Sequence, residues 1–286
     1  MNFSRRDMGR LIAGGAALLA ACGKGPDSAS APAPGKKRIP VSVETWSVKE
    51  LLAEDPEGII AQLAQMGYEG IELAHYYRWE NLTAPRVRKA LTDNGIVCSS
   101  AHINLQSLQD DQIERTVEYN KEIGNSVLII ASLPHQETIA GWKDLAAQVD
   151  DRAAKAAEYG MRIGYHNHAG DFQPLEGQIP WEVFFDNTRQ QVIHQLDVGN
   201  MPKEHQEPLK YLKKYPGRTH SIHVKDRSAD YEQVLVGEGI LPFREIFDLC
   251  ATIGGTEWFI VEYESKEHPP MEAVRQCLES VRKMIG

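Results

Sequence analysis

The chain has 286 residues, 42% of them hydrophobic and 25% charged, and a formal net charge of −9. That is the composition of a folded globular protein with apolar material for one large core. The acidic balance does not suit binding to a phosphate backbone, so no nucleic-acid partner is expected. Beyond Cys22 the cysteines are Cys98, Cys250 and Cys277, scattered and without a CxxC pair. This excludes a disulfide framework and a zinc-finger type of site.

The first 22 residues read as an export signal. Ser4 precedes the arginine pair Arg5 and Arg6, and an apolar run follows from Leu11 to Ala21. The run is shorter than the roughly 20 residues a bilayer span requires and has the length of a signal-peptide core. It ends in Leu19-Ala20-Ala21-Cys22, which resembles a lipobox with Cys22 as the lipidated first residue, and the arginine pair resembles a twin-arginine export signal. The expected location is therefore periplasmic, with a lipid on Cys22 as the only contact with a membrane. Cleavage before Cys22 removes three arginines and one aspartate, so the mature chain is two charges more acidic. Residues 23–38 are rich in Gly, Ser, Ala, Pro and Lys and read as a flexible tether. The folded domain is expected over 39–286.

Within 39–286, strand-like and helix-like segments alternate. In chain order they are a strand at 39–48, a helix at 56–67, a strand at 69–74 and a helix at 84–95. Next come a strand at 96–103, a helix at 108–124, a strand at 126–132 and a helix at 139–159. The fifth strand, 161–168, precedes the short helix IPWEVFFDN; the sixth, 191–200, precedes a helix at 206–215. The seventh, 219–226, precedes a helix at 242–254, and the eighth, 257–264, precedes a last helix at 270–285. Glycines close several of the helices. Alternating βα units imply parallel strands. Eight units in this length predict a single-domain (β/α)8 TIM barrel. A doubly wound open sheet usually carries a Gly-rich loop after its first strand. Here that strand runs into TWSVKELLAED, which has no glycine.

A barrel of this kind places its active site at the C-terminal ends of the strands. The fifth strand ends with His166 and His168, the sixth with Asp197, the seventh with His223 and Lys225, and the eighth with Glu262 and Glu264. The third ends with His102 and the second carries Glu72. Strand residues two apart face the same way. One buried histidine would be ordinary core. Four consecutive strands ending in metal-capable side chains point to a shared cation, because unpaired buried charge is costly.

The ordered motifs GYEGIEL, AHINL, YHNH, LDVGN, HVKD and FIVEYE resemble the sugar phosphate isomerase/epimerase family with xylose isomerase-like barrels. The resemblance runs from about residue 40 to 285. It implies one divalent metal ion held by His166, Asp197, His223 and Glu262, and a small-molecule sugar or glycoside as substrate. His166 is assigned to the metal and His168 to proton movement, with the reverse assignment open. Two nitrogens and two oxygens suit Mn, Zn, Co or Fe. Many relatives carry a glutamate where this chain has His166. With histidine there, two carboxylates and two neutral imidazoles balance a 2+ ion and leave it a stronger Lewis acid.

The chemistry implied is isomerisation or epimerisation of a keto- or aldo-sugar through a metal-stabilised enediolate. His168, His102, Lys225 and Glu72 are the candidates for moving protons. Trp46 and Trp181 are candidates for stacking on a sugar, and Glu264 for holding a hydroxyl or orienting a ligand. The histidine at 166 also resembles a subgroup acting on 3-keto sugars, including lyases that eliminate the aglycone of 3-keto-glycosides. That lyase reaction is the alternative. A non-catalytic, lipid-tethered sugar-binding protein is the alternative from another class, and the sequence does not fix the oligomeric state.

Overall fold

In the computed structural model, which describes residues 37–74 and 81–286, eight parallel strands close into a barrel. The expected export signal, Cys22 and nearly all of the expected tether lie outside the described residues. The barrel strands are β1 (Val41–Glu44), β2 (Gly70–Leu73), β3 (Val97–Ile103), β4 (Val127–Ile130), β5 (Arg162–His166), β6 (Ile193–Asp197), β7 (Thr219–Val224) and β10 (Trp258–Val261). β1 pairs with both β2 and β10, which closes the ring. The expected TIM barrel is the fold present.

The helices are α1 (Lys49–Glu54), α2 (Pro56–Met66), α3 (Ala84–Asn94), α4 (Ile113–Glu122), α5 (Ile139–Glu158), α6 (Pro180–Asp186), α7 (Pro208–Lys214), α8 (Phe243–Leu249) and α9 (Pro270–Ile285). Their ends follow local chemistry. Pro56 opens α2 just after Asp55, whose side chain accepts from the Gly58 N–H at 3.0 Å, and Gly67 closes it in the left-handed region. Thr138 caps α5 by accepting from the Gly141 N–H at 3.1 Å.

Several boundaries differ from expectation. The first strand stops at Glu44, and Thr45–Val48 form a 3-10 turn leading directly into α1. The helix expected over 108–124 starts at Ile113, because Asn104 caps a separate 3-10 turn over Leu105–Leu108 and a tight turn follows at Gln109. The fifth strand ends at His166, so His168 lies beyond it and leads the 3-10 turn Ala169–Phe172. The eighth barrel strand ends at Val261, before Glu262 and Glu264. An antiparallel pair after β7 was not foreseen: β8 (Asp226–Arg227) and β9 (Gln233–Val234).

Two buried layers result from the period of two along each strand. One set of strand side chains, including Val41, Val43, Ile71, Ile163, Ile222, Val224, Phe259 and Val261, joins the helices in the apolar core. The alternate set is largely polar and just as buried: Glu44, Glu72, Ser100, His102, His166, Gln195, Asp197, Ser221 and His223. Side chains of this second set bond to one another across the barrel, so it lines the interior.

Candidate metal and catalytic centre

His166, Asp197, His223 and Glu262 converge at the C-terminal end of the barrel. All four are buried, and one ligand atom from each lies within 4.8 Å of the others. β5, β6 and β7 each deliver one of them at or next to the strand end, and Glu262 follows β10 directly. Asn167 locks two of these strands together. Its Oδ1 accepts from the Asp197 N–H at 2.8 Å and its amide donates to the Asp197 carbonyl at 2.9 Å. Asp197 Oδ1 is occupied by the N–H groups of Gly199 and Asn200, at 2.8 and 2.9 Å.

The other oxygen, Asp197 Oδ2, accepts no well-formed hydrogen bond, and neither does His166 Nε2 make one. These two atoms face each other at 3.4 Å. Buried polar atoms without a well-formed hydrogen bond are rare and costly. Beyond His166, Oδ2 has the Lys225 ammonium at 3.2 Å, and both atoms are ligand types for a divalent ion. Burial pushes the His166 imidazole down to about 3, against the pull of Asp197, so its lone pair is available at neutral pH. The residues therefore fit a divalent metal ion.

His223 is held from two sides. Its Nδ1 lies 2.7 Å from Glu262 Oε2 and 3.8 Å from Asp197 Oδ2, and its Nε2 lies 2.6 Å from Glu72 Oε2. Nδ1 thus faces the other ligands, and Nε2–H donates to Glu72. Burial opposes a charge on His223, but Glu72, Glu44 and Glu262 outweigh it and hold the imidazole well above its ordinary value. Burial likewise opposes a charge on Glu72, yet His102 and His223 keep its carboxyl well below the usual range. Glu72 also accepts from Ser100 Oγ at 2.5 Å and from the Gln195 amide at 2.6 Å. The carboxylate of Glu72 is thus fully engaged with His223, Ser100 and Gln195.

His102 is equally enclosed. Its Nδ1 lies 3.1 Å from Glu44 and its Nε2 lies 2.6 Å from Gln195 Oε1. Burial lowers its pKa. Glu44 itself is raised well above the carboxylate range by burial and by the charge of Glu262. Sequence reasoning missed Glu44, Gln195, Ser100 and Ser221. For Glu44 the signal was available: it stands two residues after Ser42 on the first strand, where parity turns it inward.

Lys225 and Glu264 complete the rim. The Lys225 ammonium donates to Glu264 Oε2 at 2.7 Å and to Asn200 Oδ1 at 3.1 Å. Glu264 Oε1 accepts from the Trp46 indole at 2.9 Å, and the Lys49 ammonium stands 4.0 Å over the Trp46 ring. Trp46 is therefore at the mouth. His168, like Glu264, is exposed, with its ring 4.9 Å from that of His166. Trp181, expected against a sugar, lies away from the site. It is fully buried on α6, 5.5 Å from Tyr165 and 4.4 Å from Phe185, in an aromatic cluster that also holds His194.

Residues 60–284 match the family described as xylose isomerase-like TIM barrel. The chain belongs to this family. An inosose dehydratase of Bacillus thuringiensis is 24% identical to it over 291 aligned positions, covering 86% of this chain and 96% of that one. A sugar phosphate isomerase/epimerase structure from Parabacteroides distasonis superposes with a TM-score of 0.72 at 23% identity, covering 91% of this chain and 99% of that one. A D-allulose 3-epimerase from Methylomonas sp., solved with D-allulose, gives 0.68 at 15% identity over 87% of this chain and 98% of its own. At these identities the two structures show the fold alone. The xylose isomerase-like relatives thus include a dehydratase and isomerases or epimerases.

Proposed function

We propose that this protein is a divalent-metal-dependent enzyme acting on a polyhydroxylated ketone, and that it removes the proton beside the carbonyl and expels an oxygen substituent one carbon further on. The observation that carries the metal is the pair of buried atoms with no well-formed hydrogen bond, His166 Nε2 and Asp197 Oδ2, inside a four-residue ligand set. When bound, the ion would polarise the substrate carbonyl and acidify the neighbouring C–H. His166, Asp197, His223 through Nδ1, and Glu262 would hold it. Glu72 fixes the His223 ring, and Asn167 fixes Asp197.

His168 is the proton carrier in this reading. It is exposed at the mouth and adjacent to His166, whereas His102 and Glu72 are enclosed and fully engaged below the ligands. Elimination needs a single proton acceptor near the carbonyl and an acid for the leaving oxygen. Epimerisation through two ligand glutamates on opposite faces is unsupported, because Glu262 is the one glutamate in the set. The dehydratase among the relatives supports the same choice. Isomerisation or epimerisation by other groups remains the second reading, favoured by the epimerase fold neighbours.

The test is to incubate metal-loaded protein in D2O with 3-keto-glucosides, with keto-cyclitols and with free ketohexoses. Release of aglycone or water supports elimination. Deuterium uptake with no bond cleavage supports isomerisation and overturns it. Unchanged ligand binding after EDTA dialysis, in protein that carries no stoichiometric metal, would leave only a sugar-binding protein. We also propose export and lipidation at Cys22, on the sequence of residues 1–22. Retention of a membrane-bound form by Cys22→Ser would refute the anchor.

A further inference from the structure

The ligand set already has a cation beside it. Lys225 is 1% exposed and enters from the residue after β7. Its ammonium lies 3.0 Å from Glu262 Oε2 and 3.2 Å from Asp197 Oδ2. These two residues supply the oxygen donors of the proposed metal site. An ammonium has three N–H donors and no lone pair, so it neutralises carboxylates but cannot ligate a metal. A second cation at the same oxygens meets the repulsion of the first at short range, where it is strongest and least screened.

The position of that ammonium is itself constrained. Gly199 packs against its stem, and a Cβ there would come within 2.7 Å of the Lys225 side chain. Two of its hydrogen bonds pull it toward the rim, to Asn200 and Glu264. Glu264 in turn is anchored by the Trp46 indole on its other oxygen and by the Gln233 side chain, which accepts from its backbone N–H at 2.9 Å. Nothing comparable holds Asp197 Oδ2, which is left to the ammonium's charge and to His166.

We propose that Lys225 is a resident counter-cation that competes with the divalent ion for Asp197 and Glu262, and that Glu264 is the positioning residue that draws it aside. This rests on the metal reading above. The lysine stabilises the ligand carboxylates when no ion is bound, and the Trp46–Glu264 arm sets how strongly it resists the ion. Metal affinity is then governed from the rim as well as by the four ligands.

The test is a double-mutant cycle on metal binding, independent of activity. The full chain is stripped of metal and titrated with Mn2+ by calorimetry, with Co2+ absorption as a second readout. Lys225→Met should bind Mn2+ roughly tenfold or more tightly than wild type, and Glu264→Ala several-fold more weakly, as expected for a charge moved at short range. In the Lys225→Met background, Glu264→Ala should have no effect, because the residue acts through the lysine. Lys225→Gln replaces Lys225→Met if the latter does not fold, and must move affinity in the same direction. Equal or weaker binding by either lysine variant overturns the proposal. So does a Glu264→Ala penalty that persists without Lys225, since that would mean a direct charge effect on the ion. Failure of wild type and all variants to bind Mn2+ or Co2+ instead sinks the metal reading, and this inference with it.

Discussion

The barrel wall separates two interiors built from the same strands. On its outer side Val43, Ile71, Ile222 and Val261 pack against the helices, and burial alone stabilises them. On its inner side Glu44, Glu72, His102, Gln195 and His223 are as well buried but are satisfied by one another and by neighbouring polar side chains such as Ser100, Ser221 and Glu262. An apolar core tolerates small shifts, because any close contact of the right volume will do. A buried polar network does not, since each missing partner leaves a desolvated group unpaired. The outer layer therefore sets whether the chain folds, and the inner layer sets what the fold can hold.

The largest test of this division is on the inner side. His166→Ala should abolish metal binding and activity while the metal-free protein melts close to wild type, checked by metal analysis and calorimetry. Full metal occupancy in this variant would refute the ligand assignment. On the outer side, Trp181→Ala should cost about 3–5 kcal/mol of stability from the cavity it opens. The protein that remains folded should bind metal with unchanged affinity, and a matching loss of affinity would erase the distinction between the layers. Glu72→Gln should be intermediate. It keeps the shape but loses the charge that holds His223 Nε2–H, so metal affinity should fall by roughly 10- to 100-fold.

The smallest expected effect concerns pH. His194 sits in the aromatic cluster, 3.8 Å from Phe185, with no hydrogen-bond partner on either ring nitrogen. Burial, with help from Arg218, holds its pKa well below the ordinary histidine value. The unfolded chain thus takes up this proton at a higher pH than the folded one. Its contribution to stability is complete above about pH 6.5 and declines as pH falls below that value. His166 and His102 act in the same direction. His194→Phe should flatten the loss of melting temperature between neutral and mildly acid pH without removing it. An unchanged slope would show that His194 is not among the groups responsible.

How much of this could be read beforehand also divides along the wall. The alternation of βα units predicts the closed barrel, and strand parity turns candidate side chains inward at its rim. Parity cannot separate His166 from His168 or Glu262 from Glu264, so the choice of His166, Asp197, His223 and Glu262 came from the family resemblance. Glu44 escaped because no breaker stands between Glu44 and Val48, so the strand was drawn through the turn that ends it. β8 and β9 escaped because two residues carry no periodicity. Gln195, Ser100 and Ser221 escaped for another reason. An uncharged polar residue in a strand looks the same whether water or a second side chain satisfies it. Trp181 was misread because a large aromatic on a short helix fits a core as readily as a binding face.

The cross-barrel bonds have a mechanical consequence. Glu72 on β2 reaches His223 on β7, and Gln195 on β6 reaches His102 on β3, so these pairs tie walls that share no backbone hydrogen bonds. They work like spokes in a rim, and their length fixes how far apart opposite strands can stand. Shortening one spoke while keeping its charge, as in Glu72→Asp, would draw a ligand out of true without removing any ligand. The bore of this barrel is therefore gauged by side-chain reach.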